Sequence, residues 1–241
     1  MDRDSPEVRI SKTLSWILRH GAASEGIAMR PDGFVKVDDI LKNSRIQTFN
    51  LTLSQLKDIV RDNAKQRYTL IFETADGTSV GYAAVEGDGP EGGVWWIKAN
   101  QGHSISTVKV EMKPILSSED IPSRLAVHGT SRSAWNAIRI EGLSKMGRNH
   151  IHLAQGVGGD NVISGMRKSS QILIFIDVQK AIDTGIKFEL SDNGVVLTEG
   201  NEEGYLKPDY FSRVEDARTR QALDGWEGIG PIESEAVATA V

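Results

Sequence analysis

The sequence predicts an α+β protein made of two domains. Apolar residues recur at helical spacing in the first part of the chain, whereas short strands dominate after residue 123. Between these parts, residues 112–123 contain two prolines and few apolar residues, which is typical of a linker. We therefore expect domains at residues 5–111 and 124–215.

The first domain begins with a predicted helix. Ser5 is a suitable N-cap, Pro6 takes the first helical position, and apolar residues continue at helical spacing as far as Gly21. Arg19 and His20 fall in the last turn, where basic side chains complement the partial negative charge of a helix C-terminus. Taken alone, the Arg19-His20 pair needs no other explanation.

The remaining elements of this domain follow the order of a winged helix. A short strand is predicted at residues 34–37 and a short helix after Asp38 or Asp39. A second helix begins at the capping box of Thr52 and Gln55. Two strands at residues 67–72 and 94–97 complete the pattern as an antiparallel ribbon.

An acidic insert at residues 73–93 separates those two strands. It holds five acidic residues and no basic one, and we expect it to form an enlarged, flexible wing tip. Residues 87–92 match the glycine fingerprint of dinucleotide-binding folds literally. Two acids lie inside the match and a strand follows it, so a phosphate cradle is excluded here.

The net charge of −5 does not exclude nucleic acid, because the acidic residues are concentrated in two segments. The insert is one, and the tail at residues 216–241 is the other, with five acids and two bases. The rest of the chain is mildly basic, which favours local, salt-sensitive binding of a polyanion. The weak periodicity of the tail predicts a flexible end.

The second domain is predicted to be rich in β-structure. Ser133 is expected to cap a helix that runs to Ile140 and ends at Gly142. Strands are predicted at residues 126–128, 150–154, 171–178, 187–190, 194–198 and 204–206.

Three arginines lie beside or near the four short polar segments that hold all five histidines. Arg19, Arg67 and Arg148 are these arginines, and guanidinium with imidazole is a combination that suits a phosphate group. Simpler alternatives exist for two of them, because Arg67 could lie on a solvated strand edge and Arg148 in a surface loop.

Several classes of site and location are excluded or disfavoured. The absence of cysteine rules out disulfides, thiolate catalysis and cysteine zinc sites. His150 and His152 share one strand face and could bind a metal, but no third ligand is evident nearby, so we expect no metal. The sequence has no run of about 18 apolar residues, so we expect no membrane span. We expect an intracellular protein of the cytoplasm or the nucleus.

The chain resembles the RNA 2′-phosphotransferase family (tRNA 2′-phosphotransferase) from about Ser11 to Phe211. The motifs that carry this resemblance occur in order along most of the chain. They are Leu18-Arg19-His20, Asp32-Gly33-Phe34, Lys65-Gln66-Arg67, residues 99–104, His128-Gly129-Thr130, residues 147–153, residues 164–167 and residues 191–195.

The resemblance implies a fold and an activity. It implies an N-terminal winged-helix lobe that binds RNA and a C-terminal ADP-ribosyltransferase-like lobe that binds NAD. The implied reaction removes an internal 2′-phosphate from RNA, typically at a tRNA splice junction, and consumes NAD. An ADP-ribosylated 2′-phosphate forms first, and the products are 2′-hydroxyl RNA, nicotinamide and ADP-ribose 1″,2″-cyclic phosphate. We expect a monomer that needs no metal.

The resemblance also assigns site residues. It makes Arg19, His20, Arg67 and Arg148 the catalytic group, called here the basic cluster. Gly102-His103-Ser104 is expected to contribute to the RNA-facing surface, and Lys98 stands where the family frequently has arginine. The residues implied to bind NAD are His128, Gly129, Thr130, Gly142, Leu143, His152 and Arg167.

Three other functions remain open from the sequence. The protein could be an ADP-ribosyltransferase that modifies nucleic-acid phosphates without releasing a cyclic phosphate. It could be a non-catalytic winged-helix RNA-binding protein, although an intact basic cluster argues against this. It could also be a metal-dependent phosphodiesterase that uses His150 and His152.

Overall fold

The structure, a computed structural model, describes residues 4–157, 166 and 169–226, and the chain divides into two compact units. Unit 1 comprises Met1–Lys113, Gly147–Asn149 and Ser191–Asn193. Unit 2 comprises Pro114–Met146, His150–Leu190 and Gly194–Val241. Both units combine helices with sheets, which confirms the predicted α+β class.

Unit 1 places four helices against one four-stranded sheet of order β1-β4-β2-β3. Its elements are α1 (Pro6–Trp16), a π-helical turn (Ile17–Gly21), β1 (Val35–Lys36), α2 (Val37–Lys42), α3 (Ser44–Gln47), α4 (Leu53–Arg61), β2 (Tyr68–Glu73), β3 (Ser79–Gly81) and β4 (Val94–Ala99). The order matches the sequence prediction with the addition of α3 and of β3, which lies in the acidic insert.

The first helix starts as predicted and ends in a different geometry. The Ser5 hydroxyl accepts a hydrogen bond from the Val8 amide, and Pro6 occupies the first turn. The last turn, Ile17–Gly21, is π-helical, and it carries Arg19 and His20. Leu14 and Ile17 are fully buried, so the opposite face of this turn is fixed in the core.

Buried and partly exposed side chains alternate along β2 in the sheet of unit 1, as expected when one face packs against the core. In β2, Tyr68, Leu70 and Phe72 are buried while the residues between them are partly exposed. This pattern gives β2 one buried face and one partly exposed face, and Arg67 immediately precedes the strand. The capping box of Thr52 and Gln55 at the start of α4 is confirmed.

The acidic insert is anchored to unit 1 by specific donors. Strand β3 pairs with β2, which extends the sheet into the insert. The Lys57 ammonium donates to the carbonyls of Val85 and Gly87 at 3.3 and 2.6 Å. The Trp95 indole donates to the Asp88 carbonyl at 2.8 Å. The predicted wing tip is therefore a folded extension that packs against α4.

The described residues of unit 2 form three sheets, two α-helices and two short 3-10 helices (Ser118–Asp120 and Pro208–Tyr210). The sheets have the orders β5-β10-β11-β8, β12-β7 and β13-β9-β6. The elements are β5 (Lys113–Ile115), β6 (Val127–Thr130), α5 (Arg132–Glu141), β7 (Leu143–Ser144), β8 (Ile151–Leu153), β9 (Ile172–Ile176), α6 (Val178–Asp183), β10 (Phe188–Leu190), β11 (Val196–Thr198), β12 (Tyr205–Leu206) and β13 (Phe211–Asp216).

Two local predictions in unit 2 were wrong. Ser131, rather than Ser133, caps α5, because its hydroxyl accepts from the Ala134 amide at 3.2 Å. The strand predicted at residues 171–178 stops at Ile176, since Asp177 caps the short helix α6. An aspartate in a mostly apolar run was the signal for that cap.

The segments predicted as linker and tail contribute to unit 2. Ile115 and Ile121, from the predicted linker, are buried in its core. Beyond β13, Trp226 contacts the rings of Trp135 and Phe211, and its carbonyl accepts from the Val214 amide at 3.1 Å. Packing therefore continues at least to Trp226, and residues 227–241 lie outside the described part. No described helix has both the length and the apolar character needed to cross a bilayer.

Candidate active site

All four residues of the basic cluster belong to unit 1. Arg19 and His20 lie in the π-helical turn, and Arg67 immediately precedes β2. Arg148, which the sequence places in the second domain, lies in the short segment Gly147–Asn149 that groups with unit 1. The cluster is therefore assembled within one unit from three separate segments.

Hydrogen bonds explain why the segment that carries Arg148 joins unit 1. The Asn149 amide donates to the His103 carbonyl at 3.0 Å. The Asn149 side chain donates to the Ile105 carbonyl at 3.2 Å. The sequence suggested that His103 contributes to an RNA-facing surface. His103 is only 4% exposed, so it supports this segment instead.

A second excursion of the chain, Ser191–Asn193, also joins unit 1 near Arg67. The Asn193 side chain donates to the Lys65 carbonyl at 3.2 Å. Lys98 lies 3.7 Å from the carboxylate of Asp192 and is almost fully buried. Lys98 thus holds this loop through an ion pair, which gives a structural reason for a cation at that position.

Arg19 is half-buried, and one of its donor atoms has no partner among the described residues. Its Nε is buried, and no described residue accepts a hydrogen bond from it. Burial lowers the pKa of Arg19, the Tyr68 hydroxyl opposes this, and Arg67 and Arg148 lower it further. An arginine side chain stays charged in proteins, so this arrangement favours an anion that would supply the missing acceptors.

Gly102 permits the close approach of the backbone to Arg19. Its φ is +89°, and a Cβ there would lie 3.4 Å from the Arg19 Nε. The adjacent Ser104 amide donates to the Arg19 carbonyl at 3.0 Å. The loop at residues 102–104 therefore packs along the π-helical turn and fixes its backbone.

Ser104 orients His20. The Ser104 hydroxyl lies 2.8 Å from Nδ1 of His20, which leaves Nε2 as the ring nitrogen available to a ligand. Burial lowers the pKa of His20, and the positive charges of Arg148 and Arg19 lower it further. His20 is therefore neutral at pH 7. Sequence analysis placed Ser104 in a general RNA-facing motif and missed this positioning role.

Arg67 is held by a separate set of contacts. The Asn63 side-chain oxygen accepts from both the backbone amide and Nη1 of Arg67, each at 3.2 Å. The Asn100 amide donates to the Arg67 carbonyl at 2.9 Å. These contacts fix the backbone and one side of the guanidinium before β2 begins.

Replacing Arg148 by glutamine should raise the pKa of His20. The substitution removes a positive charge that disfavours the imidazolium form, while burial and Arg19 keep the pKa below its ordinary value of about 6.5. An NMR titration of the ring protons of His20 measures the change. Arg124→Gln, at an exposed cation in unit 2, is the matched control and should leave the titration unchanged. An unchanged His20 titration in Arg148→Gln would contradict the clustering of the two side chains.

In unit 2, the histidines predicted to bind NAD lie close together. Nδ1 of His128, on β6, is 3.1 Å from the carbonyl of His152, on β8. Gly129 follows His128, and a Cβ there would overlap the side chain of Ser170. The Ser170 hydroxyl is buried, and no described residue pairs with it. Thr130 ends β6, and its carbonyl accepts from the Gln171 amide at 2.8 Å.

Other residues in the predicted NAD group have packing roles. Gly142 ends α5 with φ +99°, and a Cβ there would overlap the Leu206 carbonyl. Leu143 is 2% exposed and pairs with Leu206 between β7 and β12. Packing alone accounts for both residues. Arg167 lies outside the described residues.

Gly142→Ala should destabilise the protein more than Gly185→Ala. Gly185 has a similar φ of +95° but open space around a Cβ, so alanine there incurs only backbone strain of about 1–2 kcal/mol. At Gly142 the overlap with Leu206 should add about 1–3 kcal/mol. Denaturant unfolding measures both variants, and equal losses would argue against a packing role for Gly142.

His150 has a local electrostatic environment in unit 2. Burial lowers its pKa, and Glu189 and Glu199 oppose this effect. Its Nε2 lies 3.8 Å from the Glu189 carboxylate. Within the described part of the chain, no group of three or more histidine, aspartate or glutamate side chains could hold a metal ion.

The structure defines an α+β protein with a cluster of basic side chains in unit 1, and comparisons with known proteins identify its family. The profile described as "RNA 2′-phosphotransferase, Tpt1 / KptA family" matches residues 5–200. The tRNA 2′-phosphotransferase 1 of Danio rerio is 41% identical over 215 residues, which cover 89% of this chain and 88% of that protein.

Two further relatives extend the comparison. The tRNA 2′-phosphotransferase 1 of Homo sapiens is 41% identical over 224 residues, covering 92% of this chain and 80% of that protein. The tRNA 2′-phosphotransferase of Saccharomyces cerevisiae is 34% identical over 182 residues, covering 73% and 71%. The chain belongs to the RNA 2′-phosphotransferase family, which confirms the resemblance drawn from its motifs.

Proposed function

We propose that this protein removes an internal 2′-phosphate from RNA and consumes NAD in doing so. The names of its relatives favour tRNA as the substrate. One observation carries the proposal. The buried Nε of Arg19 has no acceptor among the described residues, and the positive charges of Arg67 and Arg148 lower the pKa of Arg19. A phosphate monoester would supply the acceptors and offset three positive charges.

The first step needs orientation more than proton transfer. A phosphate monoester has a second pKa of about 6 and is mostly a dianion at neutral pH, so it needs no general base to become a nucleophile. The guanidiniums hold its oxygens, and neutral His20, oriented by Ser104, donates a hydrogen bond from Nε2. Fixing the dianion in line with its target lowers the barrier by proximity and orientation.

The residues of unit 2 fit the ADP-ribose part of NAD. His128, Gly129, Thr130 and His152 gather on adjacent strands, beside the buried hydroxyl of Ser170 that has no described partner. NAD, when bound, supplies an electrophilic ribose carbon, nicotinamide as the leaving group, and a ribose 2″-hydroxyl. The proposed role of these residues is to bind and orient it, and Arg167 remains a candidate for one of its phosphates.

The second step requires charge stabilisation by the basic cluster. Transfer of the phosphate from the RNA 2′-oxygen, which would leave as a hydroxyl, to the ribose 2″-oxygen would build negative charge on the phosphate oxygens. Pre-positioned guanidiniums stabilise that charge without reorganising. The proposed products are 2′-hydroxyl RNA, nicotinamide and ADP-ribose 1″,2″-cyclic phosphate.

The proposal includes the architecture that the family resemblance implies. Unit 1 would be a winged-helix lobe that binds RNA, with β2 and β4 as its ribbon. Unit 2 would be an ADP-ribosyltransferase-like lobe. The protein would act as a monomer without a metal ion.

An oligoribonucleotide with one internal 2′-phosphate tests the proposed function. Incubation with NAD should yield the 2′-hydroxyl product, nicotinamide and the cyclic phosphate in equal amounts, and activity should survive a chelator. Loss of the phosphate without NAD, or its release as inorganic phosphate, would overturn the mechanism. RNA that keeps its ADP-ribose as the final product would instead favour an ADP-ribosyltransferase.

A further inference from the structure

Helix α1 presents a row of basic and aromatic side chains. Arg9, Lys12 and Trp16 are spaced by three and four residues, so they share one helix face. Leu14 is buried on the other side of the helix. Trp16 is 38% exposed, and the π-helical turn that carries Arg19 begins at the next residue. The row therefore leads directly to the basic cluster.

Two neighbouring cavities make this row continuous with the cluster. One has a volume of about 430 Å³, and its lining includes Lys12, Trp16, Arg19, His20 and Arg67. The second has a similar volume of about 430 Å³, and Lys12 and Trp16 line it too. Lys12 and Trp16 thus belong to both cavities and connect them.

The second cavity is basic and aromatic. Arg45 and Phe49 contribute to its lining. The Arg45 guanidinium stacks over the Trp16 ring at 4.8 Å, and that of Arg9 stacks over Phe49 at 5.6 Å. We call these five residues, Arg9, Lys12, Trp16, Arg45 and Phe49, the α1 surface. Cations interleaved with aromatic rings are what single-stranded nucleic acid needs, because bases stack and phosphates pair with the cations.

The two ion pairs on the α1 surface differ in exposure. Lys12 pairs with Asp4 at 2.6 Å, and both side chains are largely exposed, so the pair contributes little to stability and an RNA phosphate can replace Asp4 at little cost. Arg45 pairs with Glu25 at 2.8 Å, and Glu25 is only 13% exposed and also accepts from the Asn43 side chain at 2.9 Å. Arg45 therefore keeps this pair, and its exposed guanidinium offers its outer side to RNA.

The opposite flank of α1 is unsuitable for RNA. A cavity of about 480 Å³ lies between α1 and α4, and Glu7, Asp58 and Asp62 contribute to its lining. Arg61 pairs with Asp58 and Asp62 and offsets only part of their charge, so this flank keeps a net negative charge, which disfavours a phosphate backbone. The distribution of charge around α1 thus directs an RNA strand from the basic cluster towards Arg45.

We propose that the α1 surface binds the single-stranded nucleotides that flank the 2′-phosphorylated nucleotide, with one base extending the stack that the exposed Arg45 guanidinium forms on Trp16. This inference rests on the proposed function, because it requires the 2′-phosphate at the basic cluster. It names the part of the substrate beyond the reacting phosphate that the protein recognises. Recognition through stacking and backbone charge makes flanking length more important than flanking sequence.

Substrate length provides the kinetic test. The ratio of KM for a 2′-phosphorylated dinucleotide to KM for a hexanucleotide with a central 2′-phosphate measures the contribution of the flanking nucleotides. In the unmodified protein the ratio should be about 10 or more, given typical stacking energies per base. Trp16→Leu should reduce it about tenfold, and Lys12→Ala should reduce it less.

Matched variants separate stacking from folding. Trp16→Phe keeps an aromatic face and should retain most of the ratio, whereas Lys42→Ala, at an exposed lysine of α2, should retain all of it. Thermal unfolding of each variant confirms that it is folded. Because the readout is the ratio of the KM values for two substrates, a change that affects both substrates equally leaves it unaltered.

A binding measurement without NAD separates this inference from the proposed function. An unphosphorylated, fluorescein-labelled hexaribonucleotide should bind with an affinity that falls with salt and is about tenfold weaker in Trp16→Leu. If the dinucleotide is not dephosphorylated, the proposed function is wrong. The binding measurement alone then shows whether the α1 surface binds RNA. Undiminished RNA binding by Trp16→Leu, or a length ratio near one in the unmodified protein, would overturn the inference.

Discussion

Arg19→Met should lower kcat by about 10²–10³-fold without lowering the melting temperature. The loss in kcat is the size expected when one pre-positioned donor to a developing oxyanion is removed. Stability should be unchanged or higher, because methionine fills similar space without burying a charge that lacks acceptors among the described residues. Steady-state kinetics on a 2′-phosphorylated oligonucleotide and thermal unfolding give the two readouts.

Two further variants sharpen the test of Arg19. Arg19→Lys keeps the positive charge but loses the planar donor geometry, so it should recover only a small part of the lost rate. Arg61→Met removes an exposed arginine of α4 that pairs with Asp58 and Asp62, and it should leave kcat unchanged. A melting temperature that fell together with activity in Arg19→Met would indicate a structural role for this side chain instead.

Arg67→Ala should make ADP-ribosylated RNA accumulate. The 2′-phosphate is already a dianion before step one, whereas step two adds charge to its oxygens, so a missing guanidinium slows step two more. Arg67 is a suitable position because Asn63 holds it independently of the contacts that fix Arg19 and His20. Single-turnover reactions with excess protein and NAD, separated by denaturing gel electrophoresis, would show the intermediate.

Asn63→Ala provides a graded comparison for Arg67. It removes the acceptor at 3.2 Å from Nη1 but keeps the guanidinium, so it should cause a smaller accumulation of the same intermediate. If both steps slow equally in Arg67→Ala and no intermediate appears, Arg67 does not act preferentially in step two.

Much of the fold could be predicted from the sequence where local chemistry is decisive. Ser5, and Thr52 with Gln55, mark helix starts through specific side-chain hydrogen bonds, and both starts are confirmed. The faces of β2 follow from simple alternation. The cap of α5 was misplaced by two residues because Ser131 and Ser133 both suit an N-cap locally, and only the packing of α5 selects one.

The basic cluster was predicted by motif, but its assembly was not. Nothing local to Gly147–Asn149 indicates that Asn149 bonds to the backbone of residues 103 and 105, which are distant in sequence. Long-range contacts of this kind depend on the finished fold. The same reason explains why the roles of Ser104 and Lys98 emerged only from the structure.

The π-helical turn at Ile17–Gly21 has a consequence for how this family can be engineered. A π turn holds one residue more than an α turn, and such insertions are rare because their geometry is less favourable. Removing one residue from the start of this turn would let the helix relax to α geometry and rotate Arg19 and His20 away from their present directions. The less favourable helix end thus sets the directions of two adjacent side chains that a regular α-helix would orient differently.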